Sequence, residues 1–359
     1  MTHDYVTREY DTPDYVAHDY PARDSHVVQE LRFRCPGVGE LRIPEICYPA
    51  PLRFNRHYLT VKDAHEAWYM SFGTCEDPER ERADLRQGLA AMCALAYPSC
   101  PAERLRLLAD YSAAIALRDG RFGDSVRTGK GALFAAVRNS FARGNVEDTS
   151  SWGRMFQHAD TRFVTALSAG QRSRWEAHLA ACRDGADGEF ADLADVSVEH
   201  YMRCRRRGVG RLVDVSFVEY ALGTGDLSDT VMTGLPATRL IDRHIEVVWL
   251  MQELISCEPE LCTGSEQNLV RRIAAEHGCT LQQAIDAADR LLRDSVARWV
   301  ELRRLVLRTE PALAGFVAGL DAFTVGWCEW SRWSSRYWSR YGTRPRSVDW
   351  YARYGHYAQ

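Results

Sequence analysis

Lysine is nearly missing from this sequence. Of 45 basic residues, Lys62 and Lys130 are the only lysines and the rest are arginine. A GC-rich genome produces that bias, so it excludes no function. The 11 cysteines contain no CxxC pair, none has a histidine at zinc-finger spacing, and their number is odd. A zinc finger, a dithiol redox centre and a closed disulfide framework are therefore not indicated, and reduced, mostly buried thiols are expected. No run of about 18 apolar residues marks a membrane span. The first twenty residues, MTHDYVTREYDTPDYVAHDY, are acidic and polar, unlike a signal peptide. A cytoplasmic protein is the expectation. Net charge is −4 and the isoelectric point about 6.3, which gives no overall attraction to nucleic acid. Familiar enzyme signatures are missing too: Gly129-Lys130 is followed by Gly131 where a phosphate loop needs Ser or Thr, and neither GxSxG nor HExxH occurs.

What is present is a chain of 359 residues, 46% hydrophobic and 11% aromatic, enough to bury a sizeable core. Length alone suggests two domains at about 150 residues each, but the pattern suggests one. Residues 1–52 carry a loose acid-tyrosine repeat (Asp4-Tyr5, Glu9-Tyr10, Asp14-Tyr15, Asp19-Tyr20) without helical periodicity, and read as a flexible or clamping extension. From about 53 to 341 the apolar spacing is helical, and 342–359 forms a tail. Pro101–Leu117, Thr149–Leu167, Gln171–Cys182 and Ser197–Arg207 each place apolar side chains on one face. Pro236 opens a long helix carrying Leu240, Ile241, Ile245, Val248, Met251, Leu254 and Ile255. Further helices span 266–277 and 280–308, capped by Ser265 and Thr280. Alternating strand patterns are nearly absent. The predicted fold class is all-α: a single helical bundle domain.

Four segments could carry chemistry. Gln252, Ser256 and Glu260 stand at steps of four, so their oxygens share one helical stripe. Hard oxygen donors on a rigid stripe suit Mg²⁺, although a solvated helix face has the same spacing. Asp119 and Asp124 lie in ALRDGRFGDS, at the end of another apolar helix. The block HYMRCRRRGVGR (200–211) sets arginines beside Gly-Val-Gly. Guanidinium forks match phosphate oxygens, and glycine permits close backbone approach. The last, GWCEWSRWSSRYWSRY (326–341), combines aromatics able to wall an apolar cavity with Arg336 and Tyr337 as anion donors.

The order of these segments resembles a bacterial class I terpene synthase, over about residues 53 to 341. ALRDGRFGDS falls where that family has its aspartate-rich metal motif, with Asp119 and Asp124 matching and Gly120 replacing the second aspartate. QELISCEPE matches the family's Asn-Ser-Glu metal motif at Gln252, Ser256 and Glu260. EHYMRCRRRGVG resembles the segment with the diphosphate-sensing arginine. Arg206 stands 46 positions before Gln252, the family-like spacing, with Val209 as linker and Gly210 as effector; Arg205 and Arg207 are the neighbouring registers. SSRY resembles the pair that grips diphosphate on closure, implicating Arg336 and Tyr337. FNRHYLTVKDAHEAW (54–68) resembles the family's entry segment. The resemblance implies a bundle around an apolar cavity, three Mg²⁺ ions, and a linear prenyl diphosphate substrate, farnesyl or geranylgeranyl. It further implies carbocation cyclisation to a terpene hydrocarbon or alcohol. Aromatic faces stabilise a cation by about 0.5–2 kcal/mol each, and Trp249, Trp327 and Trp330 are the residues expected to form that wall. Homodimerisation is left open.

Three departures fall on functional positions. Gly120 removes a carboxylate, Gln252 lengthens the expected Asn by a methylene, and Pro259 stands before Glu260 where a basic residue is usual. Fewer than three ions could then be held. Two other readings share the fold: a catalytically degenerate protein that binds an isoprenoid or a partner, and cation-type chemistry without the full metal cluster.

Overall fold

The computed structural model describes residues 25–74, 77–127, 150–189, 196–208, 211–223, 227–263, 267–337 and 348–358. Fifteen α-helices occur among them: α1 (Tyr58–Met70), α2 (Pro78–Leu85), α3 (Leu89–Ala96), α4 (Ala102–Arg127), α5 (Ser151–Ala166), α6 (Ala169–Glu189), α7 (Val198–Gly208), α8 (Arg211–Leu222), α9 (Asp229–Thr233), α10 (Leu235–Ile255), α11 (Cys257–Thr263), α12 (Leu269–His277), α13 (Leu281–Thr309), α14 (Ala314–Trp333) and α15 (Trp350–Tyr354). The caps are chemical: Ser150 accepts from the Gly153 amide to start α5, and Thr280 forms a reciprocal capping box with Gln283 to start α13. Pro236 sits in the first turn of α10, where its missing amide hydrogen costs nothing. The segment before α13 begins later than the sequence pattern indicates. Asn268 caps α12, its side chain accepting from the Val270 amide, and Ser265 lies outside the described residues.

Helix α14 runs through the middle of the bundle, packed on α3, α8 and α10, while α13 packs along α10. Gly326 makes the α14–α3 contact: a Cβ there would lie 2.3 Å from the Leu95 carbonyl carbon. Among the described residues, span 311–333 alone is long and apolar enough by length and composition to cross a membrane. Of its most apolar 18-residue stretch 67% is buried in the fold, as suits a core helix.

Four short strands qualify the helical expectation. β1 (His26–Val28) pairs antiparallel with β4 (Ile46–Tyr48), and β2 (Leu31–Cys35) with β3 (Gly39–Ile43). Phe33, Leu41, Ile43 and Tyr48 are buried against the helices, and the Tyr48 hydroxyl donates to Asp321 of α14 at 2.9 Å. The strands of residues 25–52 thus pack against helices of the bundle; residues 1–24 lie outside the described set. The tail docks as well. Trp350 covers Gly88, whose φ of 73° is left-handed, and Ala358 bridges Phe54 in parallel. Nine described cysteines are free thiols, five of them buried, as the spacing predicted.

Candidate functional site

At the end of α10 the chain turns through Ser256 into α11, so Gln252, Ser256 and Glu260 follow one another around a helix junction. Ser256 Oγ donates to Glu260 Oε2 at 2.9 Å, and Asn268 Nδ2 donates to the same oxygen at 2.7 Å. The long helix ends at Ile255, and Pro259 sits in the first turn of the new helix α11, where proline is tolerated. Burial, then the neighbouring negative charge of Glu253, raises the Glu260 carboxyl to about 7.

Glu253, 1% exposed, is the best-held side chain of the junction. It accepts from the Tyr201 hydroxyl at 2.9 Å, Arg205 Nε at 2.8 Å and the Leu269 amide at 2.7 Å. Helix α7 is therefore pinned to α10 by Tyr201 and Arg205. Arg206, one residue on, faces outward: its side chain is 48% exposed and pairs with Glu246 at 2.8 Å, a carboxylate shared with Arg243. Val209 and Gly210 lie outside the described residues, as does the Arg207 side chain. Immediately after them, Arg211 opens α8 and points into the junction. Its Nη2 donates to Gln252 Oε1, its Nη1 pairs with Asp214 at 2.7 Å, and its guanidinium lies 4.6 Å from the Trp327 ring centre.

The third contribution comes from the end of α14 and the 3-10 turn Ser335–Tyr337. Arg336 Nη1 donates to the Ala116 carbonyl of α4 at 3.3 Å, three residues before Asp119 in the same helix. Asp119 and Asp124 both lie within α4, which runs to Arg127; their side chains are outside the described set. Tyr337 is buried edge-on between Trp327 and Trp330, with ring centres at 6.3 and 5.8 Å. Trp330 Nε1 is committed to the Gln87 carbonyl at 2.7 Å, a packing role. Trp327 has a cation over its face, and Trp249 is fully buried with its Nε1 unpartnered among the described residues. The Tyr97 hydroxyl and His244 Nε2 are likewise buried and unpartnered there, and their rings meet Phe323 at 6.0 Å (tilted) and 5.7 Å (edge-on). Buried polar atoms without partners mark places where water or a ligand completes the arrangement.

Arg205, Arg211, Glu253, Asn268 and Tyr97 were not singled out by sequence reasoning as roles in this junction, apart from Arg205 as a register alternative. Glu253 had one available signal, its position beside Gln252; Arg211 had its place at the end of the arginine block.

The helical bundle, with the oxygen donors Gln252, Ser256 and Glu260 at the α10–α11 junction, is similar to known proteins in sequence and in fold. A family model described as "Terpene synthase family 2, C-terminal metal binding" matches residues 131–298. Sesquiterpene synthase 3 of Postia placenta (strain ATCC 44394 / Madison 698-R) is 26% identical over 326 residues, covering 85% of this chain and 86% of the relative. Pristinol synthase of Streptomyces pristinaespiralis is 27% identical over 322 residues, covering 82% and 85%. Among solved structures, linalool/nerolidol synthase from Streptomyces clavuligerus, in complex with 2-fluorogeranyl diphosphate, superposes with a TM-score of 0.67 at 21% identity, over 81% of this chain and 99% of that one. An α-eudesmol synthase gives 0.69 at 19% identity, over 79% and 97%. These solved structures show the fold. In sequence, the family match over residues 131–298 and the relatives at 26–27% identity make this chain similar to terpene synthases and support a terpene synthase enzyme.

The matched family model is described as metal binding, which implies a divalent metal. Ser256 Oγ and Glu260 Oε2 are adjacent hard oxygens, and the unfavourable anionic state of Glu260 beside Glu253 favours an added cation. That pair fits. No cluster of three or more His, Cys, Asp or Glu occurs among the described residues, and Gln252 already accepts from Arg211.

Proposed function

We propose that the chain ionises a linear prenyl diphosphate with Mg²⁺ assistance and cyclises the resulting carbocation to a terpene hydrocarbon or alcohol. The observation carrying this reading is the convergence at one end of the bundle. There α10 contributes Gln252, Ser256 and Glu260, α7 and α8 contribute Arg205 and Arg211, and the turn after α14 holds Arg336 against α4, the helix of Asp119 and Asp124. The names of several relatives, sesquiterpene synthases from Postia placenta and Cyclocybe aegerita among them, favour the fifteen-carbon farnesyl diphosphate over geranylgeranyl diphosphate.

Bound divalent cations would draw the charge of the departing diphosphate onto themselves, easing C–O cleavage. The protein's own groups do the rest. Glu260 and Ser256 supply metal donors, steadied by Asn268, with Asp119 and Asp124 of α4 as the further donors that the resemblance assigns. Arg336 and Tyr337 close on the diphosphate, and Arg206, Val209 and Gly210 take the sensing, linking and effector roles given by the family resemblance. The outward pairing of Arg206 with Glu246 requires that arginine to turn inward on substrate binding. Trp327 and Trp249, with Phe323 and Tyr97, present aromatic surface to the cation, and exclusion of water sets whether deprotonation or hydration ends the sequence.

The test is incubation with Mg²⁺ and geranyl, farnesyl or geranylgeranyl diphosphate, following diphosphate release and volatile products by gas chromatography. A cyclic product from farnesyl diphosphate is expected, and Glu260→Gln should lower turnover at least a hundredfold. Absence of diphosphate release from all three substrates would overturn the reading.

A further inference from the structure

Arg211 stands where none of the motif positions requires an arginine. Its guanidinium is not spread on the surface: the side chain is 12% exposed and clamped from three directions. Nη2 donates to Gln252 Oε1, Nη1 to Asp214, and the flat face rests on Trp327. Nε is buried with no partner among the described residues. A positive charge therefore sits on the first oxygen of the Gln252-Ser256-Glu260 stripe.

We infer that Arg211 takes the place of one divalent cation in this enzyme, holding Gln252 as a hydrogen-bond acceptor rather than a metal ligand and carrying part of the diphosphate's charge itself. The inference rests on the metal-assisted reading above and deepens it.

Two physical arguments support the assignment. An amide oxygen that accepts a guanidinium hydrogen bond keeps a lone pair, but a dication bound to it would stand only a few ångströms from a fixed positive charge, which disfavours metal strongly in a buried setting. A glutamine also reaches one methylene further than asparagine, and here that reach is used to meet Arg211. The guanidinium needs no octahedral shell, so it tolerates the looser geometry that Mg²⁺ does not. Asp214 holds the guanidinium in place, and Trp327 adds a cation–π contact that would be lost if Arg211 swung away.

The experiment counts Mn²⁺ bound per full-length chain in the presence of inorganic diphosphate, by electron paramagnetic resonance of the free ion. It needs no turnover. Arg211→Ala is expected to bind one more Mn²⁺ per chain than the wild type, because Gln252 is released. Arg211→Lys, which keeps a cation, and Gln252→Leu, which removes an oxygen that is not a ligand, should both match the wild-type count. If Arg211→Ala matches the wild type, or if Gln252→Leu loses one Mn²⁺, the inference is overturned while the metal-assisted reading stands. If no variant and no wild-type chain binds Mn²⁺ with diphosphate, both fall together. Should Arg211→Ala fail to fold, the Gln252→Leu and Arg211→Lys counts still decide.

Discussion

Arg205 and Arg206 are adjacent in sequence and opposite in circumstance. A helix turns about 100° per residue, so α7 sends Arg205 into the Glu253 pocket and Arg206 out to Glu246. Arg205→Ala would strip a buried carboxylate of its cation and should cost about 3 kcal/mol of stability, read as a lowered urea midpoint. Arg206→Ala breaks a half-exposed pair and should cost less than about 1 kcal/mol. If Arg206→Ala nevertheless abolishes turnover, its role is in the reaction; if turnover survives, the sensing assignment fails. Spacing to Gln252 picks out Arg206, yet spacing along a chain does not fix the rotation of a short helix. Three consecutive arginines could not be told apart by sequence for that reason. That the Ser256 and Glu260 side chains meet was legible, because residues four apart are neighbours along a helical run.

Among elements, the α14–α3 contact is the tightest constraint. Gly326→Ala would drive a Cβ into the Leu95 backbone, which cannot give as a flexible side chain would. A loss of about 3 kcal/mol or more is expected, with a correspondingly lowered melting temperature; an unchanged melting temperature would show that the two helices can part. The long helices α10 and α13 were readable from apolar periodicity and caps, and Thr280 marks α13 to the residue. The strands were harder. Leu31-Arg32-Phe33-Arg34-Cys35 and Gly39-Glu40-Leu41-Arg42-Ile43 do alternate, with buried Phe33, Cys35, Leu41 and Ile43, but five residues are too short a window to separate alternation from chance. The site was split across such gaps: α7, α8, α10 and the turn after α14 are far apart in sequence, and only packing reveals which of their polar residues meet.

For the molecule as a whole, acid should be destabilising through its buried histidines. His244 is fully buried, and burial with the nearby charge of Arg211 lowers it to about 3; burial and Arg174 lower His178 to about 4. An unfolded histidine titrates near 6.5. Above that value neither state is protonated and the groups contribute fully to stability. As pH falls below 6.5 the unfolded chain takes protons that the fold refuses, so stability declines toward the folded values. By pH 4.5 His244 alone should account for about 2.5 kcal/mol. Glu260 works in the opposite sense, since a carboxyl raised to about 7 favours the folded state at low pH. His244→Phe should flatten the pH dependence of the urea midpoint between 6.5 and 4.5, and an unaltered slope would remove His244 from the account. The docked tail has a consequence for the order of events during synthesis. Phe54 and Gly88 receive their covers, Ala358 and Trp350, only after more than 250 further residues have been made. The hydrophobic surface around α3 that these residues cover thus stays open for most of translation, the interval in which exposed apolar surface favours aggregation.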